Sequence, residues 1–140
     1  MGQPKKILVP LDGSSNALRA LDKAITFAKP FGAKIVGISV ISNVPVTGLH
    51  NVKAMRATWL KQARKILANS KKHCAQRGVD FNEKIATGYA GDEIVNYARK
   101  SNCGLVVMGS RGLSGPKAAI LGSVSSHVLH KARMPVVIVK

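Results

Sequence analysis

The chain has 140 residues, 46% of them apolar, and its 22 Lys and Arg against 6 Asp and Glu give a formal net charge of +16. That length and composition fit one globular domain, residues 1–140, with a real core, and exclude a disordered chain. No apolar run approaches the roughly 18 residues that span a bilayer, and MGQPKKILVPLDGSS reaches Asp12 too soon for a signal peptide, so a soluble cytoplasmic protein is expected.

In chain order, KKILVPL (5–11) is a short β-rich run that ends in DGSS, a turn with helix-capping residues. From Ser15 to about Phe31, Leu18, Leu21, Ala24, Ile25 and Ala28 recur at helical spacing, and Pro30 with Gly32 marks the stop. AKIVGISVI (33–41) is nearly continuous in apolar character, as a strand covered on both faces should be. Residues 42–51 read as a loop. The longest helix follows at 52–77, with Met55, Trp59, Ala63, Ile66, Leu67 and Cys74 as its buried stripe and Gly78 as its end.

DFNEKIATG (80–88) alternates and carries charge, which suits an edge strand. Asp92 and Glu93 open a third helix that runs to about Lys100, placed favourably at its positive end. GLVVMG (104–109) is short and wholly apolar, hence central. A fourth helix is expected over 123–131, and PVVIV (135–139) is a fifth strand with nothing after it to cover its edge. Strands alternating with helices throughout predict an α/β fold with a parallel sheet and helices on both faces, a three-layer α/β/α sandwich.

Cys74 and Cys103 match no zinc or redox spacing and read as buried free thiols. His127 and His130 are three apart but lack a third ligand nearby, so no metal site is expected there.

The chemistry concentrates in VVMGSRGLSGPKAAILGSV (106–124), a strand running into a glycine-rich loop. In a parallel α/β sheet, ligands bind outside the carboxyl ends of the strands where the strand order reverses. If the first and fourth strands are neighbours, this loop meets PLDGSS and residues 40–41 at one crevice. Gly109 and Gly112 then offer backbone N–H groups as an anion-binding nest, and Gly122-Ser123 begins a helix whose positive end favours phosphate. Ser123 and Ser125 add hydroxyls, and Arg111 or Lys117 a positive charge. The competing reading is a tight turn with a glycine packed for close helix–strand approach. Neither GxxxxGK[ST] nor GxGxxG occurs.

Gly109-x2-Gly112-x9-Gly122-Ser123 resembles the nucleotide-binding signature of the universal stress proteins, ILVPLDGS (7–14) is similar to their opening strand and turn, and HKARMPVVIVK (130–140) to their closing helix and strand. The resemblance covers essentially the whole chain. It implies strand order 3-2-1-4-5 and ATP, or ADP or AMP, at the strand ends. Pro10, Leu11 and Asp12 would border ribose and adenine, and Val40 would bond the adenine edge. Met108 and Gly109 would line the ribose side, with Arg111, Gly112, Gly122, Ser123, Val124 and Ser125 around the phosphates. It also implies a homodimer through Val136, Val137, Ile138 and Val139.

Asp12 before Gly-Ser is a turn former or cap on one reading. On the other it holds the ribose, or Mg²⁺ through water. No Glu, Gln or His is evidently aimed at a γ-phosphate, so a sensor or switch with slow or no hydrolysis is expected rather than an efficient ATPase. The rival readings are a basic nucleic-acid-binding protein and an interaction module whose loops respond to AMP or cyclic AMP. GSRG (109–112) resembles the GXXG clamp of KH modules, but it follows a strand here rather than joining two helices, and only 4% of residues are aromatic.

Overall fold

The computed structural model describes residues 3–43, 52–112 and 121–140. The element order is β1 (Lys6–Pro10), α1 (Ser15–Phe31), β2 (Lys34–Ile41), α2 (Val52–Ala75), β3 (Phe81–Thr87), α3 (Ala90–Lys100), β4 (Leu105–Gly109), α4 (Ser123–Lys131) and β5 (Val136–Val139). All strand pairs are parallel, in the order β3-β2-β1-β4-β5. The α/β class and the order 3-2-1-4-5 are therefore as expected.

Period-two alternation sorts the strand side chains onto two faces. Ile7, Val9, Ile35 and Val107 join the α1 and α2 residues Ala20, Leu21, Ala24 and Leu67 in one core cluster. Leu8, Val36, Ile38, Val106 and Met108 join Ile94, Ala98 and Val128 of α3 and α4 in the other. The chain steps one way from β1 to β3 and the opposite way from β4 to β5. Crossovers of one hand thus put α1 and α2 on one face and α3 and α4 on the other. The reversal falls between β1 and β4, and there the strand ends part to leave a crevice.

Local chemistry fixes the helix ends. The Ser14 hydroxyl oxygen accepts from the Ala17 N–H at 3.1 Å and caps α1. At the other end Gly32 takes a left-handed φ of 62° and donates to Ala28 and Lys29 carbonyls. The left-handed turn at Gly78, φ 73°, follows α2, which stops at Ala75, two residues before the expected Arg77. Helix α3 begins at Ala90, ahead of Asp92, so both acids sit inside its first turn. The paired part of β1 is one residue shorter at each end than the apolar run, although the Leu11 N–H still donates to Ile38 O at 2.8 Å.

Of the stripe expected on α2, Ala63, Leu67 and Cys74 are buried, but Met55, Trp59 and Ile66 are only half-buried. Both cysteines are buried free thiols. Burial pushes Cys74 up to about 11 from 9.0, against the opposing pull of Arg77. It raises Cys103 as well, against Lys6. No helix among the described residues is long and apolar enough to cross a membrane.

Candidate functional site

Asp12 ends the run that leaves β1. Its Oδ1 accepts from the Ser14 N–H at 2.9 Å, across Gly13, whose φ is 87°. This closes the turn that starts α1, so the turn-forming reading of Asp12 holds. Its other carboxylate oxygen reaches toward the glycine loop. A methyl placed on Gly112 would stand 2.6 Å from Asp12 Oδ2.

The remaining glycines answer a packing demand. A methyl on Gly109 would meet Asn16 Cβ at 2.9 Å and the Asn16 backbone carbon at 3.0 Å, so β4 and the start of α1 can touch only because Gly109 has no side chain. Left-handed φ occurs among the described glycines at Gly13, Gly32, Gly78 and Gly88, not at Gly109, Gly112 or Gly122. Close approach is the demand at Gly109 and Gly112, whereas a methyl on Gly122 would meet nothing nearer than Ser110 O at 3.4 Å, and none of the three forms a left-handed nest. Gly115 and Lys117 lie outside the described residues, as does the rest of 44–51 and 113–120.

Ser110 ties the site together. Its carbonyl oxygen accepts the Gly122 N–H at 2.7 Å and the Ser125 hydroxyl at 2.8 Å, and its own hydroxyl oxygen accepts from Asn16 Nδ2 at 3.3 Å. The end of β4, the start of α4 and the second residue of α1 thereby share one joint. Ser125 is buried, and its hydroxyl donates to Ser110 O at 2.8 Å with Gly122 O at 3.1 Å. Ser123 is exposed at the helix start.

Helix α4 begins at Gly122 with no side-chain cap and no acid in its first turn. Its first internal bond runs from the Ser126 N–H to Gly122 O at 3.0 Å. The N–H groups of Ser123, Val124 and Ser125 consequently have no partner within the helix, and the helix dipole adds partial positive charge there.

These pieces enclose a cavity of about 570 Å³ at the strand ends, within the ordinary range for small-molecule sites. Pro10, Leu11 and Asp12 line it from β1, Val40 from β2, Met108, Gly109, Arg111 and Gly112 from β4 and its loop, and Gly122, Ser123, Val124 and Ser125 from α4. Every described residue expected to surround a nucleotide is thus brought to one hollow. Among the described residues no three His, Cys, Asp or Glu converge to hold a metal ion.

One wall was missed by reading the sequence. Trp59, Gln62, Ala63 and Ile66 of α2 line the same cavity, as do Ala90 and Ile94 at the start of α3. Trp59 and Ile66 look like core residues because they continue the helical stripe. Length was the available signal. The 24 residues of α2 span about 36 Å, against about 26 Å for the eight of β2, so part of α2 must overhang the strand ends. The α2 side of the hollow is apolar apart from Gln62, while the opposite side offers the N–H groups of α4, the Ser123 hydroxyl and Arg111 of the loop after β4. Such a cavity suits a flat apolar group carrying an anionic tail.

Comparison with known proteins gives the same frame. The model of the universal stress protein family matches residues 4–140. Universal stress protein YxiE of Bacillus subtilis is 37% identical, over 96% of this chain and 98% of that protein. The solved structure of protein MJ0577, from Methanocaldococcus jannaschii, superposes with a TM-score of 0.89 at 28% identity, over 99% of this chain and 97% of that one. A universal stress protein solved in complex with cAMP superposes with a TM-score of 0.78 at 25% identity, over 99% of each chain.

Proposed function

The chain belongs to the universal stress protein family, and we propose that it binds an adenine nucleotide, ATP foremost, in the hollow at the strand ends. The observation that carries this reading is the uncapped start of α4. Its first N–H groups, with no partner within the helix, open onto a cavity whose opposite wall is apolar apart from Gln62. The phosphates lie at Gly122–Ser125 with Arg111 and Gly112, and the base lies toward Leu11, Val40 and α2. The related protein solved with cAMP supports an adenine ligand.

Asp12 is the carboxylate that lines the hollow, and Mg²⁺ usually keeps several waters while taking one or two carboxylates plus phosphates. Asp12 with the bound phosphates therefore fits a water-bridged Mg²⁺, whose chemistry there is to neutralise phosphate charge. Arg111 adds a second cation. The described lining holds Asp12 and Gln62 but no Glu or His to serve as general base, which supports a nucleotide-dependent sensor or switch with slow or no hydrolysis. It pairs with a second copy through β5, the exposed-edge strand beside β4.

Calorimetric titration with ATP, ADP, AMP and cAMP, with and without Mg²⁺, tests the reading, alongside mass spectrometry of any small molecule released on denaturation. Saturable binding of an adenine nucleotide is expected, lost when Gly122 and Ser123 are replaced by bulky residues. Absence of binding by all four compounds overturns the proposal. An ATP turnover of about 1 s⁻¹ or more, the low end of ordinary enzymes, overturns the switch reading alone.

A further inference from the structure

The net charge of +16 far exceeds what one nucleotide needs, and the fold decides where it stands. Helix α2 holds no Asp or Glu, and its Lys53, Lys61, Arg64, Lys65, Lys71 and Lys72 are all exposed. At 3.6 residues per turn Lys53, Arg64 and Lys71 form one row, with Lys61, Lys65 and Lys72 in a second beside it. The second row stands opposite the buried Ala63, Leu67 and Cys74, and the first flanks them. Lys61 and Lys65 are four apart, a like-charge spacing that disfavours the helix itself.

Helix α1, on the same face of the sheet, adds the exposed Arg19, Lys23 and Lys29. Its one acid, Asp22, is hydrogen-bonded to His73 of α2. The opposite face differs. There Asp92 and Glu93 of α3 offset Arg99 and Lys100, and α4 contributes Lys131. Charge that served solubility alone would need no such asymmetry.

We propose that the α1/α2 face binds the phosphate backbone of duplex nucleic acid without regard to sequence. At about 1.5 Å per residue the row from Lys53 to Lys71 runs about 27 Å and the row from Lys61 to Lys72 about 17 Å, long enough to follow several phosphates spaced about 3.4 Å apart along a strand. A membrane surface fits less well. Among the described residues α2 exposes no large apolar side chain, and the two that α1 exposes, Leu18 and Phe31, lie at opposite ends of that helix and on different sides of it, so the face offers no apolar stripe to insert. A single strand fits less well too, because Trp59 faces the cavity and Tyr89 belongs to the α3 side, which leaves Phe31 at the end of α1 as a lone aromatic where successive bases would need several. A rigid duplex asks only for regularly placed cations.

Fluorescence anisotropy of a labelled duplex DNA of arbitrary sequence, read between 50 and 200 mM salt, tests the proposal. The wild-type protein binds at the low end and weakens steeply with salt. The variant Lys61→Glu/Lys65→Glu/Lys72→Glu, whose residues do not line the nucleotide cavity, loses about tenfold or more in affinity, and its log–log salt slope flattens by about three. The equal charge change Arg99→Glu/Lys100→Glu/Lys131→Glu on the far face leaves affinity within about twofold. Circular dichroism checks each fold, and the milder Lys61→Ala/Lys65→Ala/Lys72→Ala replaces any variant that fails. The proposal is overturned by no binding at 50 mM salt, by equal losses from both faces, or by phosphatidylserine vesicles held where the duplex is not.

Discussion

The Ser125 hydroxyl donates to the carbonyl oxygen of Ser110 at 2.8 Å, across fifteen residues of chain. With the Gly122 N–H on the same oxygen at 2.7 Å, it closes the ring that aims the start of α4 into the cavity. The two serines of that first turn therefore have separable roles. Ser125→Ala removes a buried hydrogen bond and should lower stability by about 1 kcal/mol, or about 4 °C in Tm for a domain near this size. Ser123→Ala should leave Tm unchanged and weaken ATP binding several-fold. Calorimetric scans with and without ATP check both. Identical behaviour of the two variants would refute the division.

Gly112 is expected to be a binding position more than a folding position. An added methyl meets the Asp12 carboxylate oxygen at 2.6 Å, the end of an exposed side chain that can give way. Gly112→Ala should therefore cost little stability and reduce nucleotide affinity about tenfold, as the displaced carboxylate crowds the ligand. Gly109→Ala should do the reverse. Its methyl strikes the Asn16 backbone, and overpacking of that kind costs about 1–3 kcal/mol. Denaturant midpoints set against binding constants distinguish the pair.

The one tryptophan of the chain lines the cavity. Titration with ADP should accordingly change Trp59 emission in a saturable way, with the same midpoint as calorimetry. Binding seen by heat but silent in fluorescence would move the ligand away from the α2 wall.

Cys74 gives a pH signature. Its folded pKa of about 11 lies above the ordinary 9.0, so between these values the native state holds the proton more tightly than the unfolded chain. Its contribution is thus complete below pH 9 and falls as pH rises through about 11, by about 2–3 kcal/mol in all. Cys74→Ala should lose that alkaline slope relative to the wild type in urea titrations at pH 7 to 11. The native thiol should also resist a disulfide reagent until the protein unfolds. Parallel pH profiles, or rapid labelling at pH 8, would contradict the burial.

Strand β5 is half-buried along its whole length at the sheet edge. If it pairs with a second copy, Val137→Lys should yield monomers by light scattering with the fold retained by circular dichroism. A dimer that survives the change would point to another interface.

Strand and helix order were legible from the sequence because both are set by local periodicity. The apolar run Ile7–Val9, the spacing of Leu21, Ala24, Ile25 and Ala28 and the glycine stops at Gly32 and Gly78 are short-range facts, although Leu18, read into the same stripe, is exposed. The convergence of Pro10, Val40, Gly109 and Gly122 was also within reach, since parallel strands bring their carboxyl ends to one edge. Tertiary packing alone decided the rest. Whether Gly109 serves a turn or a close approach depends on Asn16, ninety-three residues away in sequence. Whether the Ser125 proton is free depends on Ser110, and whether Trp59 is core or cavity wall depends on how far α2 overhangs β2. The gathering of cations on one face follows from the reversal of strand order, which puts α1 and α2 together. A side chain's type and spacing are local, but its partner is chosen by which distant backbone the sheet sets beside it.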